Sequence, residues 1–497
     1  MTTSSIDRAR APQPVDVGRR MRGVVPVAAA AVVAVRLLSL HVAPAPDEGG
    51  FLMVAGQWVH GTSLYGHYWV DRPPLLISLF ALADLGGGLV ALRVLGIVAA
   101  VTTLLLLAAA SRRVFGRRAA AWTAVVAAAL LCAPLFGSRE VNGELLAAPF
   151  VALGLRAAVE AVLADDVYVA RAAAVVVGAA AAAALMVKQN IADVAVFALV
   201  AWIVAGRHQA LRGRRPVELG ALAIGGGAAT LTVILLVAAS RGTSPVALFH
   251  ALYPFRLRAA ALIATSPHGL PAGRLLQLGA ALLFTGAPLV VLVFCRYGVG
   301  SSRAPWLACG LLATAAYDVL SIVAGGGFWL HYEVELLPAV ALMAGAASLR
   351  APRLVRSVAA VVALSAALST GAVVLHPLRP GDSVVGHAIA RSARPGDTMI
   401  SAFGDADIPY LTGMSSPYPY LWSLPSRVLD PGMALLRGVL SGPVAPTWIV
   451  VRGAGTEDRL AVGGALQLIH EHYREVALIR SRHVYLRDGV DRPVVRP

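Results

Sequence analysis

Long apolar runs separated by short arginine-rich loops dominate the chain up to about residue 375. Each run is about as long as a helix must be to cross a bilayer, if tilted or kinked helices are included. The pattern predicts an α-helical polytopic membrane protein with about eleven transmembrane helices. We expect them at 24–43, 89–110, 119–136, 145–163, 172–187, 191–205, 217–239, 275–294, 304–323, 335–349 and 355–375.

The apolar segment 73–86 is too short to cross a bilayer comfortably, and we expect a helix that lies at the membrane interface and begins at the proline pair. This choice places the arginine-rich loops on the cytoplasmic side, as the positive-inside bias requires. The polar segment 1–23 then becomes a disordered cytoplasmic N-terminus. The first outer loop, 44–87, faces away from the cytoplasm. The chain as a whole is predicted to lie in the plasma membrane.

From residue 376 onward the composition changes to Gly, Pro and polar residues, without a further run that could span a membrane. The segment 376–497 is predicted to be a soluble extracytoplasmic α/β domain beside the bundle of 24–375. Helices are expected at 383–393 and 458–473, and strands at 398–403, 447–451, 476–479 and 483–486. Tyr418, Tyr420 and Trp422 resemble a sugar-stacking platform, but packing within the domain is the preferred interpretation.

Composition narrows the class of protein further. The chain is 58% hydrophobic and 14% charged, with a mean hydropathy of +0.72, which excludes an ordinary soluble protein. The net charge of +15 does not predict a nucleic-acid partner, because the arginines lie in loops between apolar runs. The three cysteines lack the spacing of a disulfide framework or a zinc site. Lys188 is the only lysine, through codon bias or because a site needs a compact ammonium group.

Polar residues gather at the outer ends of the predicted helices. The first outer loop holds Asp47, Glu48, Asp71 and Arg72. The others are Glu144 after the third span, Lys188 after the fifth, Arg256 and Arg258 after the seventh, and His331 with Tyr332 after the ninth. Charge close to a membrane is costly and usually marks function. We expect chemistry on an anionic substrate at this end of the bundle.

Transfer of a sugar from a lipid phosphate would match these residue types. The leaving phosphate needs fixed positive charge, which Lys188 with Arg256 or Arg258 would supply. The acceptor hydroxyl needs a carboxylate as base, for which we choose Asp47, with Glu48 or Asp71 positioning it or a metal ion. A direct displacement inverts the anomeric configuration.

Each of these residues also has a purely structural interpretation. Asp47 can cap a helix, and Glu144 can stabilise a helix N-terminus. Arg256 and Arg258 can bind lipid headgroups. His331 and Tyr332 can act as anchors at the membrane interface.

The order of these motifs resembles the GT-C superfamily of membrane glycosyltransferases, with the closest likeness to the protein O-mannosyltransferase and lipid A aminoarabinose transferase branch. The resemblance covers roughly residues 24–349. Its first part is the acidic pair Asp47-Glu48, a helix leading to Gly61 and Tyr65, and Asp71-Arg72-Pro73-Pro74 before the interfacial helix. Its second part is Val141-Asn142-Gly143-Glu144, Lys188-Gln189-Asn190, and His331-Tyr332 followed by Leu337-Pro338.

The resemblance implies a helical bundle, a polyprenyl-phosphate sugar donor and Asp47 as catalytic base. Some members place a divalent metal near the positions of Asp71 and His331, which makes these two residues weak metal candidates. The acceptor would be an envelope lipid, glycan or protein, and mannose or arabinose is the sugar expected. The alternative function is a transporter or lipid flippase, which predicts charged residues along a path through the bundle and helices broken at mid-membrane.

Overall fold

The computed structural model describes residues 23–59, 62–137, 139–265, 270–299, 304–376, 381–493 and 495. Apart from Gly23, the predicted N-terminal segment 1–23 lies outside these residues, as does Gly61 of the resemblance.

A helical bundle forms the first part of the chain. Its first helices are α1 (Val24–Leu37), α2 (Pro46–Val59), α3 (Pro74–Leu85), α4 (Leu89–Phe115), α5 (Arg117–Cys132), α6 (Gly143–Leu163), α7 (Val167–Val187) and α8 (Asp193–Arg207). The bundle continues with α9 (Pro216–Ser240), α10 (Pro245–Leu252), α11 (Pro254–Ala264), α12 (Leu270–Thr285), α13 (Ala287–Val293), α14 (Pro305–Gly325), α15 (Leu337–Ala347) and α16 (Pro352–Leu375). Within the described ranges, seven helices are long and apolar enough to cross a membrane, or eight if a bent pair counts as one span. The polytopic helical architecture is confirmed.

The predicted span 275–294 is the bent pair. Helices α12 and α13 meet at an angle of 62°. Gly286 between them has φ 76°, a left-handed conformation that favours glycine, and Pro288 follows in the first turn of α13. The prediction of one continuous helix was wrong here because the Gly-Ala-Pro sequence interrupts the backbone hydrogen bonds.

The first loop contains the predicted interfacial helix, α3, which begins at the Pro73-Pro74 pair. It also contains α2, whose first turn carries Asp47 and Glu48. The sequence did not predict α10 and α11, which together form one of the seven segments that are long and apolar enough to cross a membrane. They pack against the first loop, where the Phe255 ring lies 4.6 Å from that of Trp69.

Helix ends position the polar residues of the loops. The side chain of Asn142 accepts a hydrogen bond from the Leu145 amide, which begins α6 and sets Glu144 in its first turn. Lys188 directly follows α7 as its C-cap residue. A short 3₁₀ helix, Leu330–Leu336, precedes α15 and carries His331 and Tyr332.

The C-terminal domain, residues 381–493, is built around one mixed sheet. Its strands are β1 (Met399–Ser401), β2 (Trp448–Arg452), β3 (Tyr473–Ile479) and β4 (Arg482–Arg487), in the order β1-β2-β4-β3. β1 and β2 run parallel, and the other two pairings are antiparallel. Its helices are α17 (Gly381–Ser392), α18 (Asp407–Thr412), α19 (Ser423–Leu429), α20 (Ala434–Ser441), α21 (Gly453–Val462) and α22 (Ala465–His472). The prediction of an α/β domain is confirmed.

The single helix predicted at 458–473 is instead two helices, α21 and α22. Gly463 and Gly464 separate them, and Gly464 has φ 69°. A Cβ on Gly463 would lie 2.4 Å from the Met433 sulfur, so a larger residue there would have to displace the Met433 side chain. The helical periodicity of the sequence continued across the pair, which hid the break.

The domain contacts the first loop of the bundle through hydrogen bonds. The Ser416 amide donates to the Tyr68 hydroxyl at 3.0 Å, and the Leu89 amide donates to the Tyr410 hydroxyl at 3.2 Å. The Trp69 amide donates to the Pro419 carbonyl at 3.1 Å. The C-terminal domain therefore lies against the acid-bearing loop.

Candidate active site

Asp47 is partly exposed in the first turn of α2. Its Oδ1 accepts a hydrogen bond of 2.9 Å from Nε1 of Trp422, a residue of the C-terminal domain. The Trp422 ring also packs against Phe51, with ring centroids 5.1 Å apart. Tyr418 and Tyr420 pack together within the domain as predicted, at 5.3 Å, but for Trp422 that interpretation was wrong.

Glu48 is fully buried and faces different partners from its neighbour in sequence. Its Oε2 accepts from Arg93 at 2.6 Å and from the Ala45 amide at 3.0 Å, while its Oε1 accepts from the Val141 amide at 2.8 Å. With both oxygens bonded, Glu48 ties α2 to α4 and to the turn before α6. The sequence analysis missed Arg93, although an arginine inside a predicted span was a signal that a buried acid must pair with it.

Asp71 lies between two arginines, and we call these three residues the arginine cluster. Asp71 pairs with Arg72 at 2.7 Å and with Arg256 at 2.9 Å. Burial opposes ionisation of Asp71, but Arg256 and then Arg72 outweigh it and hold the pKa of Asp71 below its ordinary value. The cluster carries one net positive charge.

Lys188 lies between two glutamates, and we call these three residues the lysine cluster. Its Nζ pairs with Glu144 and, at 2.9 Å, with Glu335, and lies 4.4 Å from the centre of the Tyr332 ring. Burial disfavours the ammonium form, but Glu144 and Glu335 outweigh it and raise the pKa of Lys188. The cluster carries one net negative charge. The sequence analysis read Glu335 only as the first residue of a span and missed this role.

The two clusters are neighbours. The carboxylates of Asp47 and Glu144 both act electrostatically on Arg72, and the carboxylate of Asp47 also acts on Arg256. His331 Nε2 lies 3.7 Å from a Glu144 oxygen. All the predicted site residues therefore meet in one region, except two. Glu48 is directed toward Arg93, and the exposed side chain of Arg258 lies outside both clusters.

Glu140 is a further acid near Asp47, in the turn before α6. Burial, followed by the charges of Glu48 and Asp47, raises the pKa of Glu140 to about 7. It lies in the region that the sequence analysis identified, but was not chosen as a site residue. Its proximity to Asp47 makes it the natural comparison residue in a test of the catalytic base.

The residues do not fit a divalent metal. Among the described residues, no three His, Cys, Asp or Glu side chains lie close enough together to hold one. Asp71, the first metal candidate, has its two oxygens on two arginines, and His331, the second, lies beside Glu144, which Lys188 neutralises. Guanidinium and ammonium groups are thus already paired with the carboxylate oxygens that a metal ion would need as ligands.

No protein-family model matches the chain, and no curated protein matches its sequence. Solved structures do match. ArnT from Cupriavidus metallidurans, bound to undecaprenyl phosphate, is 17% identical with a TM-score of 0.66, and the match covers 93% of this chain and 98% of ArnT. AglB from Archaeoglobus fulgidus, an oligosaccharyltransferase in complex with an inhibitory peptide and a dolichol-phosphate, is 12% identical with a TM-score of 0.54 over 96% of this chain and 75% of AglB. Both are glycosyltransferases of the GT-C type, and this chain shares their fold.

Proposed function

We propose that the protein is a membrane glycosyltransferase that moves a sugar from a polyprenyl-phosphate donor to an acceptor at the extracytoplasmic face, with inversion at the anomeric carbon. The observation that carries the proposal is a partly exposed carboxylate, Asp47, next to a cluster with net positive charge, Arg72 and Arg256 around Asp71. A base for the acceptor and a cationic site for the leaving phosphate are the two groups that this reaction requires.

The arginine cluster is the better candidate for the donor phosphate. Arg72 and Arg256 outnumber their single acid, and guanidinium groups bind phosphate oxygens in a bidentate manner. The Nε of Arg256 is buried and donates to none of the residues that the structure describes. A buried donor without a partner is costly, and a phosphate oxygen would supply one. The solved structures of ArnT with undecaprenyl phosphate and AglB with a dolichol-phosphate support a lipid phosphate as the ligand.

The proposed reaction is a single displacement. Asp47 accepts the proton of the acceptor hydroxyl as its oxygen bonds to the anomeric carbon. The bond from that carbon to the phosphate oxygen breaks, and its electron pair leaves with the polyprenyl phosphate, whose charge Arg72 and Arg256 stabilise. The proton remains on Asp47 until solvent removes it. No covalent sugar-enzyme intermediate forms, so the configuration inverts.

Lys188 then has a supporting role, which differs from the phosphate-binding role expected from the sequence. Its single charge faces two glutamates, so it has no net positive field to offer a phosphate. It holds Glu144 at the start of α6, Glu335 before α15 and the Tyr332 ring in fixed relation. Tyr332 and His331 remain candidates for contact with the substrate.

The test is sugar transfer by purified protein in lipid nanodiscs. Radiolabelled mannosyl and arabinosyl polyprenyl phosphates are offered with envelope lipid, glycan and protein acceptors. We expect turnover by wild type, an inverted product and a loss of at least about 100-fold in Asp47→Asn. Glu140→Gln is the matched acid variant and is expected to retain most of the activity. No transfer from any donor, or an Asp47→Asn variant as active as wild type, would overturn the proposal.

The rival function, transport, receives one supporting observation, the 62° break between α12 and α13. However, transporters place charged or polar groups at such breaks. Here the residues that face Gly286 are Val361 and Val362. The Thr285 hydroxyl at the break bonds locally, since it donates to the Leu282 carbonyl at 2.6 Å and accepts from the Ala287 amide at 3.3 Å. The charged site residues lie around the arginine and lysine clusters instead.

A further inference from the structure

Trp422 joins the C-terminal domain to the proposed catalytic carboxylate. Its indole N–H donates to Oδ1 of Asp47 at 2.9 Å, which leaves Oδ2 for the acceptor proton. We infer that Trp422 is a positioning residue, which fixes the orientation of the Asp47 carboxylate, so that the domain completes the active site. This inference rests on the proposed function of Asp47 as base.

Two glycines that follow the acidic pair permit this contact. A Cβ on Gly50 would lie 2.4 Å from Cζ2 of Trp422, and a Cβ on Gly49 would lie 2.8 Å from Cα of Asp407. Real Cβ atoms do not approach other atoms so closely, so any larger residue at either position would push the domain away. The Asp-Glu-Gly-Gly sequence thus combines the acid with the surface on which the domain rests.

The part of the domain that reaches Gly49 is held rigidly by the sheet. The loop after β1 contains two non-glycine residues in the left-handed region, Phe403 at φ 60° and Asp405 at φ 55°. Asp405 is paired with Arg452 of β2 at 3.1 Å and with Arg482 of β4 at 3.3 Å. Because such backbone conformations persist only where surrounding contacts enforce them, the loop is a fixed support.

The indole itself is also held on more than one side. Phe51 packs against its ring, and Gly50 lies against its Cζ2–Cη2 edge. A neutral N–H donor orients a carboxylate without adding a positive charge beside it. This differs from Asp71, whose oxygens are bound to two guanidinium groups. Asp47 is therefore oriented and yet available as a base.

The first experiment compares Trp422→Phe with Trp448→Phe in the same transfer assay. Trp448 provides a matched control, since its Nε1 donates to Asp397 at 3.0 Å inside the C-terminal domain. We expect Trp422→Phe to lower kcat about 10- to 100-fold with donor KM nearly unchanged, because small misplacements of a catalytic group have effects of this size. Folded Trp448→Phe should keep the wild-type kcat, although it is expected to unfold at a lower temperature.

The second experiment displaces the domain while Asp47 and Trp422 themselves are not substituted. Gly50→Ala should lower kcat at least as much as Trp422→Phe. Gly56→Ala is the control on the same helix, because its Cβ would meet the nearest atom at an ordinary 3.5 Å. Wild-type kcat in both Trp422→Phe and Gly50→Ala would overturn the inference, as would a rise in donor KM alone. An inactive wild type would instead overturn the proposed function and this inference with it.

Discussion

The arginine cluster and the lysine cluster use similar ion pairs in opposite proportions. In the first, two guanidinium groups surround one carboxylate, Asp71. In the second, two carboxylates surround one ammonium, Lys188. The first cluster keeps a positive charge that a phosphate could neutralise, whereas the second has none to offer. Whether a cation can bind an anionic ligand therefore depends less on its being lysine or arginine than on how many carboxylates already pair with it.

Burial separates the two clusters as well. The side chains of the lysine cluster are 13%, 3% and 2% exposed for Lys188, Glu144 and Glu335. In the arginine cluster, Arg72 is 21% and Arg256 34% exposed. A closed cluster whose only cation is fully paired stabilises structure, while an open cluster with excess positive charge is accessible to an anionic ligand. Four predictions test this distinction.

The largest effect is expected from Lys188→Met, which leaves Glu144 and Glu335 buried without a counter-charge. Breaking a buried ion pair from one side costs about 3–5 kcal/mol in the free energy of unfolding. Denaturant unfolding in detergent measures this cost, and the triple variant Lys188→Met, Glu144→Gln, Glu335→Gln should recover most of it. A Lys188→Met protein that folds like wild type but no longer binds polyprenyl phosphate would reverse the assignment of the two clusters.

Arg256→Gln is expected to reduce kcat/KM for sugar transfer about 100-fold, because a positioned charge on the leaving phosphate is removed. Its thermal stability should change much less than that of Lys188→Met. Arg258→Gln is the matched control, since Arg258 lies two residues further along α11 with an exposed side chain. Equal losses in both variants would mean that general attraction of anionic lipid, and not a bound phosphate, explains the effect.

A smaller effect is expected from Arg72→Lys, which preserves the charge. Arg72 contacts Asp71 and lies 5.4 Å from the centre of the Phe51 ring, and lysine cannot reproduce the planar fork that makes both contacts. We expect about 10-fold weaker binding of polyprenyl phosphate, measured by displacement of a labelled lipid phosphate. Affinity equal to that of wild type would show that only the charge of Arg72 matters.

The smallest effect is the acid dependence of stability at Asp71. Because Arg256 and Arg72 hold its pKa below the ordinary value, the ionised form stabilises the fold at neutral pH. This contribution is present above the ordinary aspartate pKa of about 3.9 and is lost as the pH falls through the folded-state value. We expect a loss of about 1 kcal/mol, since solvent screens the partly exposed arginines. Unfolding temperatures measured from about pH 6 down to about pH 2 should show this acid loss in wild type and not in Asp71→Asn.

Much of the bundle was predictable because hydrophobic periodicity and run length are local properties. Helices α4, α6, α7, α9, α14 and α16 match predicted spans, and α3 matches the predicted interfacial helix. The two incorrect predictions of a continuous helix also had local causes. Gly286 and the Gly463-Gly464 pair interrupt helices where the apolar pattern continues, because backbone conformation and not hydrophobicity decides there.

The candidate site was predictable in its residue types but not in its pairings. Asp47 and Glu48 are adjacent acids in the sequence, yet one meets Trp422 and the other Arg93. Lys188 was noticed because it is the only lysine, but its partner Glu335 looked like the edge of a span. Nothing local to Trp422 indicated that it would reach Asp47.

The amino-acid sequence was sufficient to determine the membrane class, the helical bundle, the α/β C-terminal domain and the gathering of charged residues in the loops. These properties follow from transfer of apolar groups out of water and from backbone propensities, which act over short stretches of chain. Contacts between residues far apart in sequence decide three other properties. They decide which acid stays available as a base, which cation keeps an unmatched charge and which domain covers Asp47. Such contacts are set by packing and by the need to pair every buried charge, and they exist only once the helices and the sheet have come together.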